Sequence, residues 1–434
     1  MRSLSIDFEP PATPTREEQQ DALKKGLGRV FPWAISGRLD DDLLLAACLN
    51  DYRHDRQAEF VVSPARWVWE ILEKAAATQR FRDPILRALL DLPDDQNAYH
   101  ICTLAYHYAR EGDQPFHDQL RRLVDHPDDP SSDLAHEEIL TLDGVDGFLR
   151  VARVRGTRLA SQAWDWDDDW FLSQSADRLG EERVQELLEQ STDGAIKRMY
   201  KMWREAIHAK ESAPKEPSLH EKYDSIPASR LIAEAGADIP DDSRVFSGMW
   251  GRHANEQQLE SVFEHLLTPD LAPRVVADLL SVFVRREYPR LDDRLFAFCR
   301  HEDHSVRHRA FHALGMVSHR VVRDFAIDEL ENYRNPKAVT LLIKNFEPGD
   351  EERILRSIEP PDDVDHLHWL LMDVIELLER NAAADAARLA VAAYARTPCT
   401  SCRHHAYEQL EARAAVPDWM LDEFQLDSYH FEHD

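Results

Sequence analysis

With 434 residues, 43% of them hydrophobic, the chain is long enough for two or three domains or one extended array, and too apolar to be disordered throughout. Its 81 acidic residues against 52 basic ones give a net charge of -29, which repels nucleic acid and anionic membrane at long range unless a local basic patch intervenes. No apolar run approaches the roughly 20 residues needed to cross a bilayer, and MRSLSIDFEPPATPTREEQQ has no apolar core, so a soluble, cytoplasmic protein is expected.

In chain order, residues 1–16 are polar and proline-rich and read as a disordered N-terminus. A helical domain is predicted over 17–209. Its first helices run from Glu17 to Val30 and through DDLLLAACL after Asp41. Pro64 and Pro84 each open a helix, since proline fits the first turn. Residues 99–110 and 116–124 repeat apolar positions at helical spacing. DHPDDPSSD (125–133) is an acidic linker. The glycines of LTLDGVDGFLRVARVRG match no phosphate-binding loop and read as a loop entering a helix at Val145. Next comes SQAWDWDDDWFLSQ, in which Trp164, Trp166 and Trp170 alternate with four aspartates. A further helix runs from Glu181 to Lys210, interrupted near Gly194.

KESAPKEPSLHEKYDSIP (210–227) is charged, carries three prolines and lacks apolar periodicity, which marks a linker. A second helical domain is predicted over 228–425, with helices near 255–267, 273–286, 291–299, 305–317, 321–332, 336–346, 351–357, 366–380, 384–395, 401–413 and 417–424. Residues 426–434 read as a frayed tail.

Within this half, AFCRHEDHSVRHRAFHAL (297–314) has a second copy, AYARTPCTSCRHHAYEQL (393–410), offset by 96 residues. Ala297, Arg300, Ser305, Arg307, His308, Ala310 and Leu314 recur, and Phe298 and Phe311 recur as tyrosines. Each copy reads as a helix end, a polar turn and a second amphipathic helix. Val306, Ala310, Leu314 and Val317 form one apolar stripe that a single helix cannot bury; stacked neighbours can. The predicted fold class is therefore all-α, an α-solenoid of stacked antiparallel helix pairs. The residues Asp303, Val306, Arg307, Ala310, Ala313, Leu314 and Gly315 resemble the HEAT-repeat family, and the whole layout looks like large bacterial HEAT-like proteins. That resemblance implies a HEAT-like superhelix acting as an interaction scaffold, and it carries no activity.

Three clusters carry chemistry. Cys399-x-x-Cys402 has the spacing of half a zinc site or a redox pair, but Cys402 aligns with the inward Val306 and reads as core. The other cysteines, Cys48, Cys102 and Cys299, also read as reduced, buried thiols. His304, His308 and His312 stand four apart on one helix face, predicted to be exposed opposite the Val306 stripe. The HEAT-like deoxyhypusine hydroxylases hold iron with His-Glu pairs at helix starts. The matching positions here are His308-Arg309 and His404-His405, both without glutamate, which speaks against a di-iron enzyme. Residues 274–323 hold ten arginines, six acids and no lysine, a net +4 in an acidic chain.

No Ser-His-Asp set, paired carboxylates or complete metal set can be assembled, so no catalytic residue, metal or cofactor is nominated. The expected function is a non-enzymatic scaffold that binds a protein partner. The partner-binding residues would be Arg285, Arg286, Arg290, Arg294, His304, Arg307, His308 and His312, with Trp164, Trp166 and Trp170. Histidine charging near pH 6 would strengthen an anion contact there. The alternatives are a nucleic-acid-binding protein similar to HEAT-like alkylpurine DNA glycosylases, using the arginine stretch, and, more weakly, a metal-binding protein using Cys399, Cys402 and nearby histidines.

Overall fold

Helix follows helix along the whole described chain, and among the described residues no strand occurs. The structure, a computed structural model, describes residues 8–54, 64–93, 97–125, 133–212, 218–239, 245–357 and 363–431. The expectations for residues 1–7, for most of the 125–133 linker, for the proline-rich centre of 210–227 and for the last three residues lie outside them. No helix is long and apolar enough to cross a membrane among the described residues.

By their contacts the residues form two units: one of 10–214 with 419–434, the other of 215–418 with 1–9. In the first, the helices Arg16–Lys25, Asp41–Leu49, Thr78–Leu90, Gln114–Asp125 and Val145–Arg158 each pack on the next in that series. The helices Val30–Ile35, Ala65–Lys74, Asn97–Arg110 and His136–Asp143 do the same. Their apolar faces bury one continuous core that includes Trp67, Ile71, Leu104, Phe116 and Phe148. Pro84 lies inside the helix Thr78–Leu90 instead of opening one. Its missing N–H leaves only the carbonyl of Arg80 without a helical donor, and Arg80 is at the surface. Val145 does open a helix, after Gly144 in the left-handed half of φ, as the sequence predicts. Gly156 lets that helix meet Gly194–Ser212: a Cβ there would stand 2.1 Å from the carbonyl oxygen of Ala195.

The chain returns to this unit at its end. Arg29 clamps Glu423 through two hydrogen bonds, Trp67 Nε1 donates to the Leu426 carbonyl at 2.9 Å, and Ser428 N donates to the Gly26 carbonyl at 2.9 Å. Phe31 and Phe431 stack at 5.8 Å. The sequence reading gave residues 417–425 to the second domain and left the rest as a tail. An amphipathic stripe states that a helix needs a partner, not which one.

In the second unit, the helices Pro273–Leu280, His304–Gly315, Val339–Leu342, Val364–Arg380 and Thr400–Glu411 pack in succession. Against them lie Asp293–Cys299, Arg320–Glu331, Asp350–Ser357 and Ala387–Arg396. Starts follow capping chemistry: Asp292, Asp303 and Asp363 accept from backbone N–H groups of their first turns, offsetting donors that a helix leaves unpaired. The 210–227 stretch holds a short helix, Leu219–Asp224, opened by a capping box of Ser218 and Glu221. The S-x-x-E spelling was a readable signal for it.

Candidate functional site

The stripe of His304, His308 and His312 does not point into open solvent. It forms one wall of a cleft of about 370 Å³, completed by Asn335, Pro336, Lys337 and Thr340 and by His366, Trp369, Leu370 and Asp373 on the helix Val364–Arg380. Phe311, 1% exposed, lies at its floor. His304 is exposed, whereas His308 and His312 are half-buried. The rings of His304 and His308 stack at 6.0 Å, and His308 meets His312 edge-on at 4.5 Å. Trp369 stands at the lip, 62% exposed. Thr340 donates to the carboxylate of Asp373, and Lys337 Nζ is 3.4 Å from His304 Nε2.

The surroundings of these rings run against the sequence expectation. Lys337 foremost, and then burial, lower the pKa of His304. Burial and the neighbouring imidazole of His312 take His308 down to about 4, and burial and Lys337 lower His312. His308 therefore stays neutral at pH 6, and the downward shifts of His304 and His312 oppose the charging predicted for this stripe. The group poised near neutrality is Asp373, pushed up to about 7 by burial against the hydrogen bond from Thr340. Lys337 is lowered, again by burial first.

Sequence reasoning named only the three histidines of this cleft. His366, Trp369, Leu370 and Asp373 fall at i, i+3, i+4 and i+7, one face of one helix, so the signal was present. What the spacing could not give was the facing element.

The arginine stretch is largely spoken for. Arg290 pairs with Glu260 and Glu264 and covers Phe263 at 4.8 Å; Arg294 grips Asp292 and the Leu267 carbonyl. Arg300 pairs with Asp328 and Glu329, and Arg323 with Glu347 and Asp350. Arg274 and Arg320 have looser carboxylate contacts, at 3.4 and 3.8 Å. Arg307 donates to the carbonyls of His301 and Glu302, which fastens the turn of the repeat. Arg285 reaches the sulfur of Met249, and Arg286 is exposed.

Of the tryptophans, Trp166 and Trp170 are 71% and 57% exposed, one turn apart on the helix Trp166–Leu179. Trp164 is half-buried, its Nε1 donating to Asp169 at 3.1 Å. The aspartates between them are structural: Asp165 and Asp168 form a capping box, and fully buried Asp168 meets Arg155 and Arg158.

The second copy of the repeat holds a different cluster. Cys399 caps the helix Thr400–Glu411, accepting from the N–H of Cys402 at 3.5 Å. Across from it, on the helix Val364–Arg380, buried His368 has Nε2 3.3 Å from the Cys402 sulfur. The two sulfurs and the imidazole lie within 4.8 Å of one another, and all three side chains are buried. The Cys399 thiol is held well below its ordinary value by hydrogen bonds from Cys402 and then His368, against the upward push of burial. Cys48, Cys102 and Cys299 show the reverse: each is buried and raised. Cys402 is inward-facing, as its alignment with Val306 predicts, but inward here means facing a histidine. His368 shares a stripe with Leu371, Ile375 and Leu378, so it reads in the sequence as an ordinary core position.

No family model matches the chain, and neither a curated protein nor a solved structure matches it.

Proposed function

We propose that the protein is a non-enzymatic scaffold, an α-solenoid of stacked helix pairs that is HEAT-like in its second half, and that it holds a protein partner in the cleft between 304–315, 335–340 and 364–380. The observation that carries this reading is the cleft itself: an apolar floor at Phe311 and Leu370, an exposed tryptophan at the lip and a few polar groups that fix orientation. The packing of every second helix on its neighbour supports the stacked arrangement. Lys337 and a protonated Asp373 suit a partner segment that places an apolar side chain on the floor and a carboxylate beside it. Such a contact strengthens from pH 8 to pH 6 because Asp373 loses its charge.

The arginine-rich surface supports nucleic-acid binding poorly. Six of its ten arginines already face carboxylates. DNA affinity that falls steeply with salt would revive that alternative. The direct test is affinity capture from the native host, followed by mass spectrometry, with the wild type, Trp369→Ala, Lys337→Ala and a variant lacking Arg285 and Arg286. A protein captured by the wild type, weakened by the cleft variants and indifferent to the arginine variant is expected. A captured set that none of the cleft variants changes removes the cleft from the function.

A further inference from the structure

We infer that His368, Cys399 and Cys402 form a zinc site inside the second unit, separate in its residues from the partner cleft. Two sulfurs and one imidazole nitrogen converge from two helices, all within 4.8 Å of one another. Around a tetrahedral zinc with Zn–S of about 2.3 Å and Zn–N of about 2.0 Å, ligand atoms stand roughly 3.5–3.8 Å apart. The observed 3.3 Å between His368 Nε2 and Cys402 Sγ needs only a few tenths of an ångström to meet that spacing. Soft thiolates with an imidazole select zinc over magnesium or calcium, which prefer oxygen donors.

Charge makes the same point. Two thiolates and a neutral histidine around Zn²⁺ sum to zero, so burial penalises the loaded site far less than it would two bare thiolates. Cys399 is 1% and Cys402 9% exposed, so a disulfide-exchange partner cannot readily reach either sulfur, whereas an ion is small enough to be enclosed. The surroundings are built to hold sulfur. The N–H of Cys402 points at the Cys399 sulfur, and the N–H of Cys399 donates to Thr397 Oγ1 at 3.3 Å, fixing the turn between the ligands. Cys399 also sits at a helix N-terminus, which favours its anion. The same position in the first copy is an aspartate, a far better N-cap than cysteine. Three protein ligands leave one tetrahedral position for a water or small anion. With one of the four positions left to such a group, the main effect of the ion is to lock the helices Val364–Arg380 and Thr400–Glu411 together.

The full chain, purified with reduced thiols and without added chelator, should carry one zinc per molecule. Cobalt(II) added to the chelated protein should give thiolate-to-metal charge transfer and the visible bands of a tetrahedral site. Cys399→Ser, Cys402→Ser and His368→Gln should each weaken zinc binding by more than the about 10–100-fold typical of removing an outer-shell group. Circular dichroism checks that each variant folds. If any does not, the wild type decides: an organomercurial should release one zinc for the first two thiols it consumes. A reduced, folded protein that takes up neither zinc nor cobalt overturns the assignment. So does metal uptake unchanged in the three variants, or a Cys399–Cys402 disulfide that yields no zinc binding once reduced.

Discussion

Residues 297–314 and 393–410 share a sequence pattern and a helix geometry, yet their second helices serve different ends. In the first copy Asp303 caps the helix with its carboxylate and Val306 sits in the core, fully buried. In the second, Cys399 and Cys402 occupy those positions, and His368 faces them from the helix Val364–Arg380. Two replacements and a facing histidine convert an ordinary capped turn into a converging set of ligands. The outward face changed as well: His312, which lines the cleft of the first copy, is Glu408 in the second, paired there with His404 and His405. A repeat thus keeps the residues that stack its helices and varies those that do anything else.

The largest effect that separates the copies should come from the aromatic pair Phe311 and Tyr407. Phe311→Ala empties a fully packed position and should cost about 3–5 kcal/mol in urea unfolding. Tyr407→Ala, at a site 6% exposed, should cost less; the reverse order would mean that the cleft floor is not part of the core. Next comes Asp373, whose folded pKa of about 7 lies above its ordinary value of 3.8. The folded state holds that proton more tightly than the unfolded chain. Its contribution is therefore complete below pH 4 and is lost as pH rises through 7. Asp373→Asn should be near neutral at pH 4 and stabilising by up to about 4 kcal/mol at pH 8, a difference that urea midpoints at the two pH values would register. A pH-independent effect would contradict the burial of that carboxyl.

The caps give a smaller contrast. Asp303→Ala should cost about 1 kcal/mol whatever the metal content, as loss of an N-cap does. Cys399→Ala should cost more than that before chelation and less after it, so thermal melts with and without a chelator sharpen the comparison directly. Smallest of all, Trp166→Ala and Trp170→Ala should shift stability by no more than about 0.5 kcal/mol, because both rings lie on the surface. A larger loss would show that these rings are packed.

Much of the fold was legible in the sequence, for identifiable reasons. Period-3.6 stripes with prolines or aspartates at their starts located helices such as 304–315, 364–380 and 400–411 to within a few residues, and found the start of 273–280 but overran its end. Pro84 misled because one missing hydrogen bond is a tolerable loss at an exposed carbonyl. The sites were less legible, because each is completed by a residue distant in the chain. Cys402 and His368 are 34 positions apart, and Lys337 and His304 are 33 apart. The arginines were conspicuous for the opposite reason: composition displays charge but not the carboxylate that already answers it.

The helix Val364–Arg380 is a party wall. His368 looks one way, toward the sulfurs, while Asp373, about 7.5 Å further along the axis, looks the other way into the cleft. If an occupant of the cleft shifts this helix and so changes how tightly the cysteine side holds its ion, the ion must change the occupant's affinity by the same factor. Each site would therefore report on the other, with no moving part between them except seventeen residues of helix.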